Sequence, residues 1–143
     1  MTGKMLASFS RAIELVRNDD DVRVLVLPGT GRGFNTGADT EMLIALAKGL
    51  PVPGAVEEES RRHAMEPVGW FSVEVAQLEK PTIAAINGPC VAGGMGMRGG
   101  VDIRIATEHA RFGVMEPKRG LFAGGGTTAR LPRQLNFPAA MEF

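Results

Sequence analysis

The stretch Lys80-Pro81-Thr82-Ile83-Ala84-Ala85-Ile86-Asn87-Gly88-Pro89-Cys90-Val91-Ala92-Gly93-Gly94-Met95-Gly96 decides how this chain of 143 residues is read. Thr82–Asn87 has the apolar composition of a buried strand, and small residues follow it. At Gly93-Gly94-Met95-Gly96 a backbone N–H can approach a ligand with no side chain in the way. A second segment of the same design lies upstream. There the β-branched run Val22–Leu27 reads as a strand buried on both faces of a parallel sheet, and it opens into the loop Asn35-Thr36-Gly37-Ala38-Asp39. Two amides from such loops, aimed at one oxygen, make an oxyanion hole that contributes several kcal/mol to a transition state with negative charge there.

Working outward, Met5, Leu6, Phe9, Ala12, Ile13 and Val16 recur at helical spacing and predict an amphipathic helix from Gly3 to about Asn18. Glu41–Lys48 reads as a short helix with Met42, Leu43 and Leu46 available for packing. Residues 49–60, with two prolines and three consecutive glutamates, have the composition of a mobile surface segment. From Pro67 the stripe Val68, Phe71, Val75 and Leu78 predicts another helix, and Val101–Ala106 the next strand. Helices alternating with strands imply an α/β fold, right-handed crossovers and a ligand site at the carboxyl ends of the strands. The length is that of a single domain, 1–143, with one core.

Sixteen basic and sixteen acidic residues cancel, so no net field gathers nucleic acid or an anionic membrane. A lone Cys90 forms no internal disulfide, and the charged first twenty residues do not read as a signal peptide, which fits a reducing, cytoplasmic setting. No uncharged apolar run has the length to span a bilayer.

Gly94-Met95-Gly96-Met97-Arg98-Gly99 matches the spacing of a dinucleotide fingerprint, yet only Gly100 separates it from the strand at Val101, leaving no room for a following helix. A tight turn packing against a neighbouring strand remains an alternative for these glycines. Glu116 follows Phe112-Gly113-Val114-Met115, an apolar setting that suits a proton-transfer group if the carboxylate is buried; a solvated glutamate opening the turn Pro117-Lys118-Arg119 is the plainer reading. Gly124-Gly125-Gly126-Thr127-Thr128 before Ala129–Leu135 reads either as an anion-binding helix start or as threonine capping. His63 and His109 lack the partners a zinc site needs, no Gly-x-Ser-x-Gly elbow exists, Cys90 lies among apolar residues as inert packing, and Asp102 reads as a locally paired strand residue.

The segments Gly31–Asp39, Lys80–Pro89, Gly93-Gly94, Asp102–Ala106, Ala110–Gly113, Gly120 and Gly124–Arg133 together resemble the enoyl-CoA hydratase/isomerase (crotonase) family, in the right order and at the right separations over nearly the whole chain. The resemblance implies the ClpP/crotonase fold, a spiral of ββα turns, incomplete here: the family's opening β-hairpin and closing helices are missing, as in a fragment. Pro138–Phe143 reads as the start of a further helix. It also implies an acyl-CoA thioester substrate, coenzyme A being part of that substrate, with no separate cofactor and no metal. By this resemblance the amides of Ala38 and Gly93 are the oxyanion donors and Glu116 the acid/base. Gly37, Asp39, Met42, Gly88, Pro89 and Gly94 surround the substrate, with Leu43 beside Met42 in the pocket wall. Family members are usually trimers or hexamers.

Gly96 departs from the pattern, since it occupies the position of one of the two hydratase glutamates. Adding water asks for groups that steer the water and shuttle its proton, whereas moving a double bond needs a single base. The expectation is therefore double-bond isomerisation through a thioester enolate rather than hydration. The alternative is a catalytically inactive crotonase-fold chain that binds acyl-CoA or a protein partner.

Overall fold

The computed structural model describes residues 1–53 and 75–143. Along the chain run α1 (Gly3–Asn18), β1 (Leu25–Pro28), α2 (Thr40–Ala47), β2 (Thr82–Ile86), β3 (Cys90–Val91), α3 (Gly93–Gly100), β4 (Ile103–Ala106), β5 (Phe112–Gly113), a 3-10 turn (Pro117–Arg119), α4 (Thr127–Gln134) and α5 (Phe137–Met141). β1, β2 and β4 form a parallel sheet in the order β1-β2-β4, and β3 pairs with β5, also parallel. The expected helix from Pro67 and most of residues 49–60 lie outside the described residues, though Val75 and Leu78, the last two positions of that stripe, are buried.

α1 has the predicted bounds. Thr2 caps it, its side chain accepting from Met5 N–H, and at the other end Lys80 Nζ donates to the carbonyl of Val16 at 2.6 Å and to that of Asp19. Leu6, Ala7 and Ile13 turn inward, whereas Met5 and Ala12 of the predicted stripe face solvent. Ile13 joins Val75, Leu78, Ala84, Ile86, Cys90 and Val101 in a core on one face of the sheet. The register explains which face. Leu27, Ala84 and Arg104 align on the inner side, while Val26, Ile83 and Ile103 align on the outer.

That outer side corrects the expectation of a strand buried on both faces. Val26 is 49% and Ile105 62% exposed, so within the described residues nothing covers these branched side chains. The strands are also shorter than read. β1 begins at Leu25 rather than Val22, whose N–H closes a turn onto Asp19 O at 3.1 Å, and β4 begins at Ile103 rather than Val101. Asp102, ahead of β4, spends its carboxylate on Thr82, as its reading as a locally paired residue expected.

The larger correction concerns the glycine-rich segment, which is neither a loop nor a tight turn. Gly93–Gly100 is a buried helix in which five of eight residues are glycine. Each glycine costs about 1 kcal/mol of helix propensity against alanine, so tertiary packing holds this helix together. A Cβ on Gly94 would come 2.3 Å from Asn35 O, a distance no side chain tolerates. Arg104 satisfies the far end, its Nε and Nη2 donating to the carbonyls of Arg98 and Val101 at 2.8 Å each. α4 starts at Thr127 with Gly126, in the left-handed conformation at φ 76°, as its cap, so threonine capping does not occur.

Candidate active site

The loop after β1 and the entry to α3 meet because β3 is bonded on both sides. Val91 N–H donates to Asn35 O at 2.9 Å, and Phe34 and Asn35 N–H both reach Pro89 O, at 3.0 and 3.2 Å. On its other edge Cys90 N–H donates to Arg111 O at 2.8 Å and Ala92 N–H to Gly113 O at 3.0 Å. Gly88 is buried where the chains cross: a Cβ there would lie 2.3 Å from Arg32 O. Gly88 and Pro89, expected to surround substrate, thus fasten one loop to the other.

Within the upper loop, Asn35 Oδ1 accepts from Gly37 N–H at 2.8 Å, an Asx turn that carries Gly37 to φ 97°. Asp39 then closes α2 as its cap, accepting from Glu41 and Met42 N–H at 3.0 and 3.3 Å, while its own N–H donates to Met1 O at 2.7 Å. Between these two anchored residues sits Ala38, whose N–H has no acceptor among the described residues. Met42 lies beneath it: it is buried in a cluster with Leu6 and Met97 against which Ala38 packs, so it shapes the floor from within the core.

Across the gap, α3 begins at Gly93, whose N–H is likewise without an acceptor among the described residues. The two segments touch: a Cβ built on Gly37 would lie 2.9 Å from Ala92 Cβ and 3.4 Å from Gly93 N. Glu116 follows β5 by three residues, beyond the strand whose Gly113 carbonyl holds Ala92. Its carbonyl accepts from Arg119 and Leu121 N–H at 2.9 and 3.0 Å, and its side chain is half-buried, with Oε2 enclosed and without a hydrogen-bond partner among the described residues. An enclosed, unpaired carboxylate oxygen is expensive to keep. A Cβ on Gly96 would stand 3.4 Å from Gly125 O and 3.6 Å from Thr127 Oγ1, so this position faces the start of α4.

A match to the enoyl-CoA hydratase/isomerase family model spans residues 1–143. The chain belongs to the enoyl-CoA hydratase/isomerase family. An enoyl-CoA hydratase of Mycobacterium tuberculosis is 33% identical over the whole of this chain, which covers 51% of that protein. The peroxisomal Delta(3,5)-Delta(2,4)-dienoyl-CoA isomerase of Arabidopsis thaliana is 31% identical, over 94% of this chain and 49% of its own length. A crystal structure of the enoyl-CoA hydratase of Bacillus anthracis superposes with a TM-score of 0.79 at 31% identity, covering 99% of this chain and 52% of that one. The fold is thus crotonase-like, and the chain spans about half the length of the relatives it matches.

Cys90 is fully buried, its thiol pushed up to about 11 by desolvation against a weaker opposing pull from Arg98. Burial, with Arg104 nearby, lowers the Arg98 guanidinium, which lies 5.9 Å above the Phe112 ring. One residue escaped the sequence reading, Ala92 with its positive φ of 50°, and Thr127, read there only as a helix start, faces Gly96. The pattern Asn35-x-Gly37 does signal an Asx turn, which was the available clue to how the upper loop is held. Among the described residues no group of three His, Cys, Asp or Glu is arranged to hold a metal, and no helix is long and apolar enough to cross a membrane.

Proposed function

We propose that this chain carries the catalytic core of an acyl-CoA-processing enzyme in which the amides of Ala38 and Gly93 receive the thioester carbonyl oxygen and Glu116 moves the proton. The observation that supports it most is the meeting of Gly37 with Gly93 N, which sets on facing loops two amides that have no acceptor among the described residues. Hydrogen bonds from two such donors strengthen as the carbonyl becomes an enolate, and losing one donor of this kind typically slows turnover about a hundred- to a thousandfold.

The reaction follows from the groups present. With a 3-enoyl thioester, Glu116 takes a proton from C2, and the C–H electron pair enters the carbonyl as a dienolate held by the two amides. The same carboxylic acid then returns the proton to C4, the double bond settles between C2 and C3, and no electrons are gained or lost. Gly96 offers no second carboxylate to steer a water, which favours isomerisation over hydration. The exposed aliphatic face of the sheet favours a second reading, a chain that binds acyl-CoA or a protein partner without turnover.

Rates with 3-enoyl-CoA and 2-enoyl-CoA, measured for the chain and for Glu116→Gln, test the proposal. Turnover of the 3-enoyl substrate, abolished by the substitution, is expected. Equal rates in both proteins would remove Glu116 from the mechanism, and acyl-CoA binding without turnover would favour the second reading.

A further inference from the structure

Among the described residues, Ala92 alone combines a side chain with a positive φ. Its φ of 50° and ψ of −121° belong to a region glycine dominates, so the alanine is strained. Such strain persists only where the surroundings over-determine it, and here they do. Ala92 N–H is held by Gly113 O at 3.0 Å, and Ala92 O accepts from Met95 N–H at 2.8 Å, so both flanking peptides are pinned, one to β5 and one to α3.

The strain has a directional effect. A strand residue has ψ near +135°, and the change to −121° swings the following peptide by roughly 100°. The swing takes Gly93 N–H out of the ladder of β3 and leaves it without an acceptor among the described residues. The methyl group has an equally specific place. It stands 2.9 Å from where a Cβ on Gly37 would be, so Ala92 and Gly37 meet through one methyl and one missing side chain. That contact sets how far apart the two loops stand.

Resting on the oxyanion role proposed for Ala38 and Gly93, we infer that Ala92 is the positioning residue of that site: its strained backbone aims the Gly93 amide, and its methyl group against Gly37 spaces that amide from Ala38. The residue touches no substrate itself and acts through its two neighbours. A glycine at 92 would adopt the same φ without strain, yet it would lack the spacer and widen the range of orientations open to the peptide.

The test uses the 143-residue chain, Ala92→Gly and Ala92→Ser, with a bound 2,4-dienoyl-CoA thioester whose ultraviolet absorption moves to longer wavelength as its carbonyl is polarised. Ala92→Gly is expected to keep or raise Tm while it shrinks the red shift and lowers kcat for a 3-enoyl-CoA by about ten- to a hundredfold, with KM within about twofold, the scale expected for a small misplacement of reacting groups. Ala92→Ser, which retains a Cβ, should restore most of the shift lost in Ala92→Gly. A full red shift and unchanged kcat in Ala92→Gly would overturn the inference and leave the proposed function standing. No red shift in the unsubstituted chain would overturn both.

Discussion

Asp102 and Thr82 are joined by four hydrogen bonds where β2 and β4 begin: the carboxylate accepts from Thr82 N–H and Oγ1 at 2.8 Å each, and Asp102 N–H donates to Thr82 Oγ1 at 3.0 Å and to Thr82 O at 3.2 Å. First the Thr82 hydroxyl and then its backbone N–H hold the Asp102 carboxyl below its ordinary range. A depressed folded pKa means that this stabilisation is complete above the unfolded pKa, near pH 4, and fades as pH falls through the folded value. Asp102→Asn should therefore cost about 1 kcal/mol at neutral pH, a figure already reduced for solvent screening of an exposed carboxylate. Urea titrations from pH 7 to pH 2 check this: the gap between the two proteins should close at the acid end, and a gap constant in pH would contradict the assignment.

Gly37→Ala addresses the meeting of the two loops. The new methyl would sit 2.9 Å from Ala92 Cβ at a backbone φ of 97°. Strain of this kind costs about 1–3 kcal/mol, so a lower urea midpoint is expected together with weaker binding of an acyl-CoA thioester. Unchanged stability and binding would mean that the loops part easily, and the proposed site would lose its geometry.

Gly96→Glu adds a side chain whose Cβ would stand at ordinary contact distance, 3.4 Å from Gly125 O and 3.6 Å from Thr127 Oγ1. If the missing glutamate is what limits hydration, this single substitution should raise the rate of water addition to a 2-enoyl-CoA by at least about tenfold relative to isomerisation. A ratio that does not move would assign the limitation elsewhere.

Cys90 has a buried thiol held near 11, so at pH 8 iodoacetamide should leave the folded chain unmodified and label it stoichiometrically in denaturant. Rapid labelling without denaturant would show that β3 opens on the experimental timescale, which would undo its role as the bracket between the loops.

The candidate residues Ala38, Gly93 and Glu116 were readable only through the order and separation of the family-like motifs, since Glu116 alone reads more plainly as a solvated glutamate. The burial of Val22–Leu27 on both faces was not, because a branched aliphatic run has the same composition whether one or two layers cover it; only the register, with Val26 outward and Leu27 inward, decides. The helix at Gly93–Gly100 was misread for a related reason. Its glycines speak against helix locally, and the contacts that override them, Asn35 against Gly94 and Gly125 against Gly96, come from positions about sixty residues before and thirty after. Ala92 left no mark in composition at all, since its strain is a property of two hydrogen bonds, one to the distant Gly113 of β5 and one from Met95 within α3.

The ammonium of Lys80 joins the last turn of α1 to the residue pair that opens β2, across a sequence separation of 64 positions to Val16. The Val16 carbonyl gains this donor only once a long loop has closed, so the end of the helix and the birth of the sheet become a single cooperative event. During refolding, α1 should fray at its carboxyl end until that closure, and the rate at which it stops fraying would time the assembly of the whole core.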